Sequence, residues 1–396
     1  MKNITNNKEV KIANVAKIYS LVRMQGEQSK SQLAVQAGLS FVSVSNICNA
    51  LVEAGLFKVI DTLESTGGRK AACIAFVPDY AYTIVIDLHH TQHGYVALVD
   101  LVGNICRSER FDIMVEDTLE TVLGNIKHAY SKLLPVPAPR ILGVCVGVSA
   151  VLNEKTGLVL QSSNPLFERV QVGRHIEELF PNLHVIVEND ANLAGLSQVM
   201  ERSVRNRLFL FFTQGIGMGI TINGQLYKGA DGFAGELGHI KVTGNDRQCK
   251  CGHHGCLRTV ATLESIASDL GEADVLIASE TSTDYAYQLA RRYTEGEKAV
   301  IERVDYAAEK IGEAIAALSD LFNPQEIVLG GNQGVLFPLI RQQIWLSCRS
   351  YSKLARSVDT SVRTIDKSAH ELVIIGSGER MFGHWLENSF MLVPLF

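Results

Sequence analysis

The 396-residue sequence has no apolar run approaching the roughly 18 residues that a membrane-spanning helix needs. Its start, MKNITNNKEVK, is polar and lacks the apolar core of an export signal. Both absences point to a cytoplasmic chain without membrane insertion. A disulfide framework is missing as well. Five of the eight cysteines, Cys48, Cys73, Cys106, Cys145 and Cys348, are scattered through mostly apolar surroundings, as expected for buried thiols in a reducing compartment. Nor is there a large excess of charge. The formal net charge of -5 hides an asymmetry: residues 1–80 hold nine Lys/Arg against six Asp/Glu, and the remainder holds 28 against 36. A small basic end on an acidic body is the charge pattern of an appended nucleic-acid module. The length allows two or three domains, each able to bury its own core.

Against this ordinary background one stretch is dense in chemistry. GELGHIKVTGNDRQCKCGHHGC, from Gly235 to Cys256, packs one glutamate, three histidines and three cysteines into a short span. Cys249, Cys251 and Cys256 lie within one loop's reach of each other, and three thiolates with one imidazole make a tetrahedral zinc set. The spacing alone leaves His239, His253 and His254 open as the fourth ligand. Glu236 is the first candidate for holding a small molecule beside such a metal.

Residues 1–80 read as a winged helix-turn-helix. Ile12, Val15, Ala16, Ile18, Tyr19 and Val22 recur at helical spacing, in a helix ending near Gly26. Ser29 or Ser31 can cap a short helix through Ala37, Gly38 permits a tight turn, and Ser40 caps a second helix with Val44, Ile47, Leu51 and Val52 facing inward. The outer face of that helix presents Val42, Ser43, Ser45 and Asn46, with Ser40 at its start, to base edges in a major groove. LFKVIDTLE and KAACIAF then form a ribbon whose tip carries Arg69 and Lys70, placed to reach phosphate or the minor groove. A three-helix protein-interaction module has the same pattern of apolar positions.

From residue 81 strands alternate with helices. YTIVIDLHHTQHGYVALVDLVGNICRSERFDI gives three consecutive strands; a helix follows near Leu119–Leu134, then the buried strand ILGVCVGVSAVLN. VIVEND is a strand running into a helix near Ala191, and RLFLFFTQGIGMGITING is a Gly-rich hairpin. An amphipathic helix over Tyr306–Phe322 and two more buried strands, EIVLGGN and ELVIIGSG, close the pattern, which fits duplicated α/β halves around a cleft.

The ordered set of GGRK tip, IDLHHT, SSNPLF, VENDAN, QGIGMGITINGQLYKGADGFAGELGH, CKCGHHGC and IVLGGN resembles the ROK family (repressors, open reading frames and kinases), in its repressor branch. The resemblance covers essentially the whole chain. It implies an actin-like, ribonuclease-H-like two-lobed domain over 81–396, behind the reading head of 1–80, with a zinc loop over 239–256. It further implies one structural zinc per chain on His239, Cys249, Cys251 and Cys256, and a sugar in the cleft held by Asn164, Asn189, Asp190, Glu236 and His239. Homodimers or tetramers on operator DNA belong to the same picture. On their own merits Asn189 and Asp190 also fit a helix cap, and Asn164 before Pro165 fits a turn.

Two departures from the family pattern carry weight. The family's kinases cradle ATP phosphates with an Asp followed by Gly-Gly-Thr, whereas here the turn reads Asp87, Leu88, His89, His90, Thr91. Asp190, the base in the kinases, is then left as a hydrogen-bond acceptor, and no kinase activity is expected. After the last cysteine the family commonly has Leu-Glu, and this chain has Leu257 and Arg258. A guanidinium facing the cleft favours a carboxylate or phosphate on the sugar; one turned outward, or paired with Glu264, does not. The expected function is a DNA-binding transcriptional regulator, a repressor, of sugar-metabolism genes, controlled by a sugar or sugar-phosphate effector bound in the C-terminal cleft. The alternatives are an ATP-dependent sugar kinase with an appended DNA-binding head, and a repressor controlled by docking of a sugar-transport protein.

Overall fold

A computed structural model describes residues 7–61, 72–133, 140–153, 156–198, 204–279, 281–352 and 361–388. The head begins with α1 (Asn7–Gln25), which stops at Gly26 in the left-handed region, and a short β1 (Gln28–Ser29). Ser29 caps α2 (Lys30–Ala37) in a reciprocal capping box with Gln32; Gly38, at φ 63°, turns the chain, and Ser40 caps α3 (Phe41–Glu53). The antiparallel pair β2 (Phe57–Asp61) and β3 (Ala72–Phe76) follows, and β1 adds to the free edge of β3. Val15, Ile18, Tyr19, Leu33, Val44, Ile47 and Leu51 fill the head's core.

The first lobe of the body is a meander of β4 (Tyr82–Leu88), β5 (His93–Asp100) and β6 (Ile105–Asp112), then α4 (Leu119–Leu133) and β7 (Ile141–Val148), which returns parallel to β4. A hairpin, β8 (Ala150–Asn153) with β9 (Leu158–Ser162), leads through α5 (Val172–Leu179) to β10 (Val185–Asn189), parallel to β7. The sheet order is β10-β7-β4-β5-β6. Helix α6 (Asp190–Leu196) crosses to the second lobe, which repeats the pattern: β11 (Arg207–Phe212), β12 (Ile216–Ile222) and β13 (Gln225–Leu226) are antiparallel. The helices α7 (Arg258–Ala261), α8 (Leu263–Leu270), α9 (Ala273–Ala278), α10 (Ser282–Thr294) and α11 (Lys298–Phe322) then precede β14 (Glu326–Gly331), parallel to β11. Helix α12 (Phe337–Tyr351), β15 (Ser361–Thr364), parallel to β14, and α13 (Ala369–Asn388) complete the chain, with sheet order β15-β14-β11-β12-β13. The two sheets have one topology, an antiparallel meander extended on its first strand by two parallel strands. This is the duplicated, actin-like arrangement, and the α/β fold class read from the sequence is the one observed.

One element differs from expectation. ELVIIGSG is not a strand; it forms the second and third turns of α13. Leu372, Val373, Ile374, Gly376, Ser377 and Gly378 are all buried, because α13 is wedged among β4, β5, β7 and α6 and keeps only a narrow half-buried stripe through Glu371, Ile375 and Glu379. A helix buried over most of its circumference loses the clear 3.6-residue alternation and reads like a buried strand. Its glycines permit close approach: a Cβ on Gly376 would fall 1.7 Å from the Leu193 carbonyl oxygen of α6. The amphipathic helix also starts earlier than Tyr306, at Lys298.

The far end of α13 enters the head. Phe382 belongs to the head's core, with Leu101 from the β5–β6 turn, and Trp385 meets Tyr19 edge-on at 5.7 Å. Arg23 of α1 is buried, bonds to the Leu101 carbonyl and Glu379, and lies over the Phe382 ring. One helix thus runs from between the lobes into the head.

Candidate ligand cleft and metal centre

In both lobes the parallel strands point their carboxyl ends at the gap between them, where open α/β sheets bind ligands. The resulting cleft of about 490 Å³ is walled by Ser149, Asn189 and Asp190 on one side and by Thr213–Gly217, Glu236, His239 and Arg258 on the other. Five of the six expected ligand residues meet here: Asn189, Asp190, Glu236, His239 and Arg258. Asn164 is placed behind the wall. Its Oδ1 accepts from the Leu166 amide at 3.0 Å and its Nδ2 donates to the Thr91 carbonyl at 3.2 Å, so it serves as the cap of the Pro165–Phe167 turn. Asn189 does two things at once: it caps α6, accepting from the Asn192 amide at 3.1 Å, and its side chain borders the cleft.

Besides Glu168, His239, Lys250, Cys251 and Glu264, three ionisable groups line the cleft. Asp190 opens α6 and is buried; burial pushes its carboxyl up to about 6, against the pull of His89 and the Ala191 amide. Burial likewise raises the Glu236 carboxyl, with His239 and Arg258 opposing. Arg258, at the start of α7, donates from Nη2 to the Gln214 carbonyl at 3.0 Å and lines the cleft; Glu264 pairs instead with Lys250 at 3.6 Å. Of the two orientations open for Arg258, the one toward the cleft is found.

The phosphate turn of a kinase is filled from inside. His89 and His90 are 6% and 9% exposed, and the His89 Nδ1 lies 2.7 Å from Asp87 Oδ1. Burial pulls His89 down, yet Asp87 and then Asp190 outweigh it and hold the imidazole above its ordinary value. Thr91 is held by Gln214 of the opposite lobe, whose Nε2 donates to its hydroxyl at 2.9 Å. The retained glycines of the hairpin have a packing reason: a Cβ on Gly217 would lie 2.5 Å from Ala191 Cβ, and one on Gly219 would lie 2.5 Å from the Ala191 carbonyl oxygen. Neither needs a nucleotide to account for it.

Beside the turn, His90 and His93 stack with centroids 4.0 Å apart. Burial pushes both down, helped by His89 for His90 and by His90 for His93, to about 4 and about 3 respectively. Depressed folded values mean that the unfolded chain binds more protons below its ordinary histidine value of about 6.5, so acid weakens the fold in that window. The melting temperature is expected to decline between pH 6.5 and 4, and His93→Asn to flatten that decline. Equal slopes for the variant and the parent would count against the stack as the cause.

The metal group is assembled by the same loop that carries Glu236. The ligand atoms of His239, Cys249, Cys251 and Cys256 all lie within 4.8 Å of one another, the one such set among the described residues. Cys249 Sγ is 3.8 Å from His239 Nδ1, and Cys251 Sγ is 3.7 Å from Cys256 Sγ. A tetrahedron with ~2.3 Å metal–sulfur and ~2.0 Å metal–nitrogen bonds has edges of roughly 3.5–3.8 Å, so the donor set fits zinc. Burial pushes the Cys256 thiol up to about 12, and a cation is what would hold it as thiolate at neutral pH. His253 faces only Cys251, and His254 faces the Asp246 carbonyl.

Of the expected DNA contacts, Val42 and Asn46 are exposed on α3, while Ser40 and Ser43 bond to each other as the helix cap. Arg69 and Lys70 lie outside the described residues. The Gln214–Thr91 bridge, the Asp87–His89 pair and α13 were not singled out from the sequence as parts of the site; the HisHis replacement was the signal for the second of them.

A two-lobed actin-like body with a Cys3His group beside its cleft, joined to a helical head, defines the class of sugar-kinase-like regulators and enzymes. The ROK family pattern matches residues 83–364, and the chain belongs to the ROK family. It is 28% identical over 350 residues to the DNA-binding transcriptional dual regulator NagC of Escherichia coli K12, covering 85% of each chain. It is 25% identical over 361 residues to the xylose repressor of Caldicellulosiruptor bescii, covering 88% of this chain and 90% of that one. Among solved structures, a ROK family transcriptional regulator homologous to the E. coli MLC protein superposes with a TM-score of 0.75 over 97% of this chain and 99% of that chain, at 22% identity. The ROK glucokinase of Streptomyces griseus, in complex with glucose and AMPPNP, gives 0.63 over 76% of this chain and 98% of its own, at 20% identity. No helix among the described residues is long and apolar enough to cross a membrane.

Proposed function

We propose that this chain is a cytoplasmic DNA-binding transcriptional regulator, a repressor of sugar-metabolism genes, that releases operator DNA when an acidic or phosphorylated sugar occupies the cleft. The observation that carries the reading is α13. Its buried first half packs against α6, which starts at Asp190 in the cleft, and its last turns lie in the core of the head. A ligand that draws Asp190 and Glu236 together shifts α6 and, through the Leu193–Gly376 contact, tilts the head. Two heads in a homodimer or tetramer then no longer match the spacing of the half-sites. Relatives named as xylose repressor and as NagC support the class of gene controlled.

In this reading Glu236, Asp190 and Asn189 accept and donate to sugar hydroxyls, and Arg258 meets the anionic group. His239 would hold the metal through Nδ1 and turn its other nitrogen to the ligand, and the zinc would pin the loop that carries Glu236. The chain is not an enzyme: the side chains of His89 and His90 take the room that a phosphate-binding backbone requires, and Asp87 is committed to His89. Arg69 and Lys70 remain proposed contacts of the wing to DNA, and residues 1–80 and 81–396 the proposed domains.

Release of operator DNA by a panel of neutral, acidic and phosphorylated sugars tests this directly. Anionic sugars are expected to release DNA from the parent. Glu236→Gln should weaken their effect about tenfold to a hundredfold, the range for a lost hydrogen bond to a charged group, and leave DNA binding without ligand intact. Arg258→Glu should remove the preference for anions. The reading fails if no sugar changes DNA binding, or if the chain phosphorylates hexoses with ATP and Asp190→Asn abolishes that turnover.

A further inference from the structure

The head offers DNA an unusual surface. From Gln28 to Val52 the sequence has no Asp or Glu and a single basic residue, Lys30. The Lys30 Nζ is engaged, 2.7 Å from Asn49 Oδ1. No carboxylate stands on this face before Glu53, the last residue of α3, and the first three turns of α3 carry neither the guanidinium or ammonium that mostly reads guanine O6 and N7 nor the carboxylate that reads cytosine N4. What the face does present is apolar. Val35 on α2 is 83% exposed, and Phe41 and Val42 in the first turn of α3 are 53% and 67% exposed. One turn beyond Val42 on the same face stands the exposed Asn46, whose amide makes no hydrogen bond among the described residues.

We propose that α3 reads A·T pairs in the major groove, with Val42 and Phe41 against thymine methyl groups and the Asn46 amide on the N6 and N7 of an adenine. The assignment rests on the DNA-binding reading above and names the base chemistry that this reading leaves open. The C5-methyl of thymine is the one apolar group on the major-groove edges of the four bases, and it suits an exposed valine and phenylalanine that solvent otherwise covers. An Asn side chain matches adenine bidentately. Val42 and Asn46 are four residues apart, about 6 Å along the helix axis. That is close to two base-pair steps of about 3.4 Å, so the methyl and the adenine that are read lie about two base pairs apart. Ser40 and Ser43, tied to each other in the cap, set the orientation of this turn and leave the reading to its neighbours.

The test uses the full-length, zinc-loaded chain and duplex selected from a random pool at moderate salt. The selected half-site is expected to be A·T-rich with the stated spacing. Replacing its thymines one at a time by deoxyuridine removes only the methyl and should weaken binding about three- to fivefold at each contacted position. Replacing the read adenine by 7-deazaadenine removes N7 and should weaken it about fivefold or more. Val42→Ala should reduce the deoxyuridine effect at the thymine that Val42 meets, Phe41→Ala should reduce it at the other, and Asn46→Ala should abolish the 7-deazaadenine effect; all three side chains are exposed, so the head stays folded. A selected site bound equally well with deoxyuridine and 7-deazaadenine, or a G·C-read core, overturns the proposal while DNA binding itself stands. If Phe41→Ala and Val42→Ala change the number of chains per particle without altering base preference, the patch is a contact between copies, and the proposal is again overturned. Failure to select any DNA removes the underlying reading as well.

Discussion

Replacing Cys256 by Ser is expected to abolish the proposed zinc binding and, with it, the response to ligand. Cys256 is the most buried of the three thiols and sits where the loop rejoins the fold: its backbone bridges to Lys241, Leu257 bonds to the Ile240 carbonyl, and Arg258 follows at the start of α7. Loss of one ligand from a closed four-ligand site removes most of the metal's contribution to folding. For isolated zinc peptides that contribution is about 10–16 kcal/mol at neutral pH; in a lobe with its own core the loss should be smaller. Metal analysis should find about one zinc per parent chain and far less in the variant, with a lower melting temperature and a loop that no longer orders Glu236. Chelation of the parent should reproduce the phenotype. Cys73→Ser, a buried thiol in the head, serves as the control and should keep its zinc. Full zinc content in Cys256→Ser would refute the assignment of the ligand set.

Arg207→Ala is expected to lower the free energy of unfolding by about 3–5 kcal/mol, the range for breaking a buried ion pair. Arg207 is among the largest fully buried side chains and lies opposite Glu326 in the β11–β14 register, with Nε 2.6 Å from Oε2. It also bonds to the Gln198 carbonyl just beyond α6, and Arg363 on β15 meets both Glu326 and the Gln198 side chain. Burial raises Glu326, but the guanidinium groups of Arg363 and Arg207 win and hold it below its ordinary value. Its contribution to stability is therefore present above the unfolded carboxylate value and lost as pH falls through the lower folded one. Because Arg363 still neutralises Glu326, Arg207→Ala should sit near the lower end of the range. The double change Arg207→Met with Glu326→Met should recover part of the loss, since a buried pair exchanged for apolar groups is often neutral. Denaturant titration reads both. The same variant should blunt ligand response, because Gln198 ends the segment that α6 carries from the cleft. Stability within about 1 kcal/mol of the parent would show that the network is not holding the lobe.

Much of the fold was legible because its determinants are local. Ser29, Gly38 and Ser40 act within three or four residues of themselves, so caps and turns could be placed from the sequence, and the antiparallel meanders announce themselves as consecutive apolar runs. The repeated order of elements identified two lobes. The start of the last helix reads like a strand because six of the seven residues from Leu372 to Gly378 are buried, all but Ile375, and apolar or small residues over most of the circumference blur the periodicity that distinguishes helix from strand. Asn164 illustrates a second limit. Its residue type suits sugar binding, but whether a side-chain amide faces a cleft or a turn depends on a partner, the Thr91 carbonyl, that is 73 positions away.

What the sequence by itself determined is the chemical inventory and its local framing: three thiols and an imidazole in one loop, carboxylates and an asparagine at strand ends, a capped reading helix free of acid until its last residue, Glu53, and two histidines where glycines would be needed for phosphate. Those follow from residue type and spacing along the chain. Only the tertiary structure decided which of the three histidines stands with the thiols, that Arg258 faces the cleft while Lys250 takes Glu264, that His89 is locked onto Asp87, and that α13 ties the cleft to the head. These outcomes depend on groups brought together from distant parts of the chain, whose approach is set by the packing of the two lobes and not by any local signal.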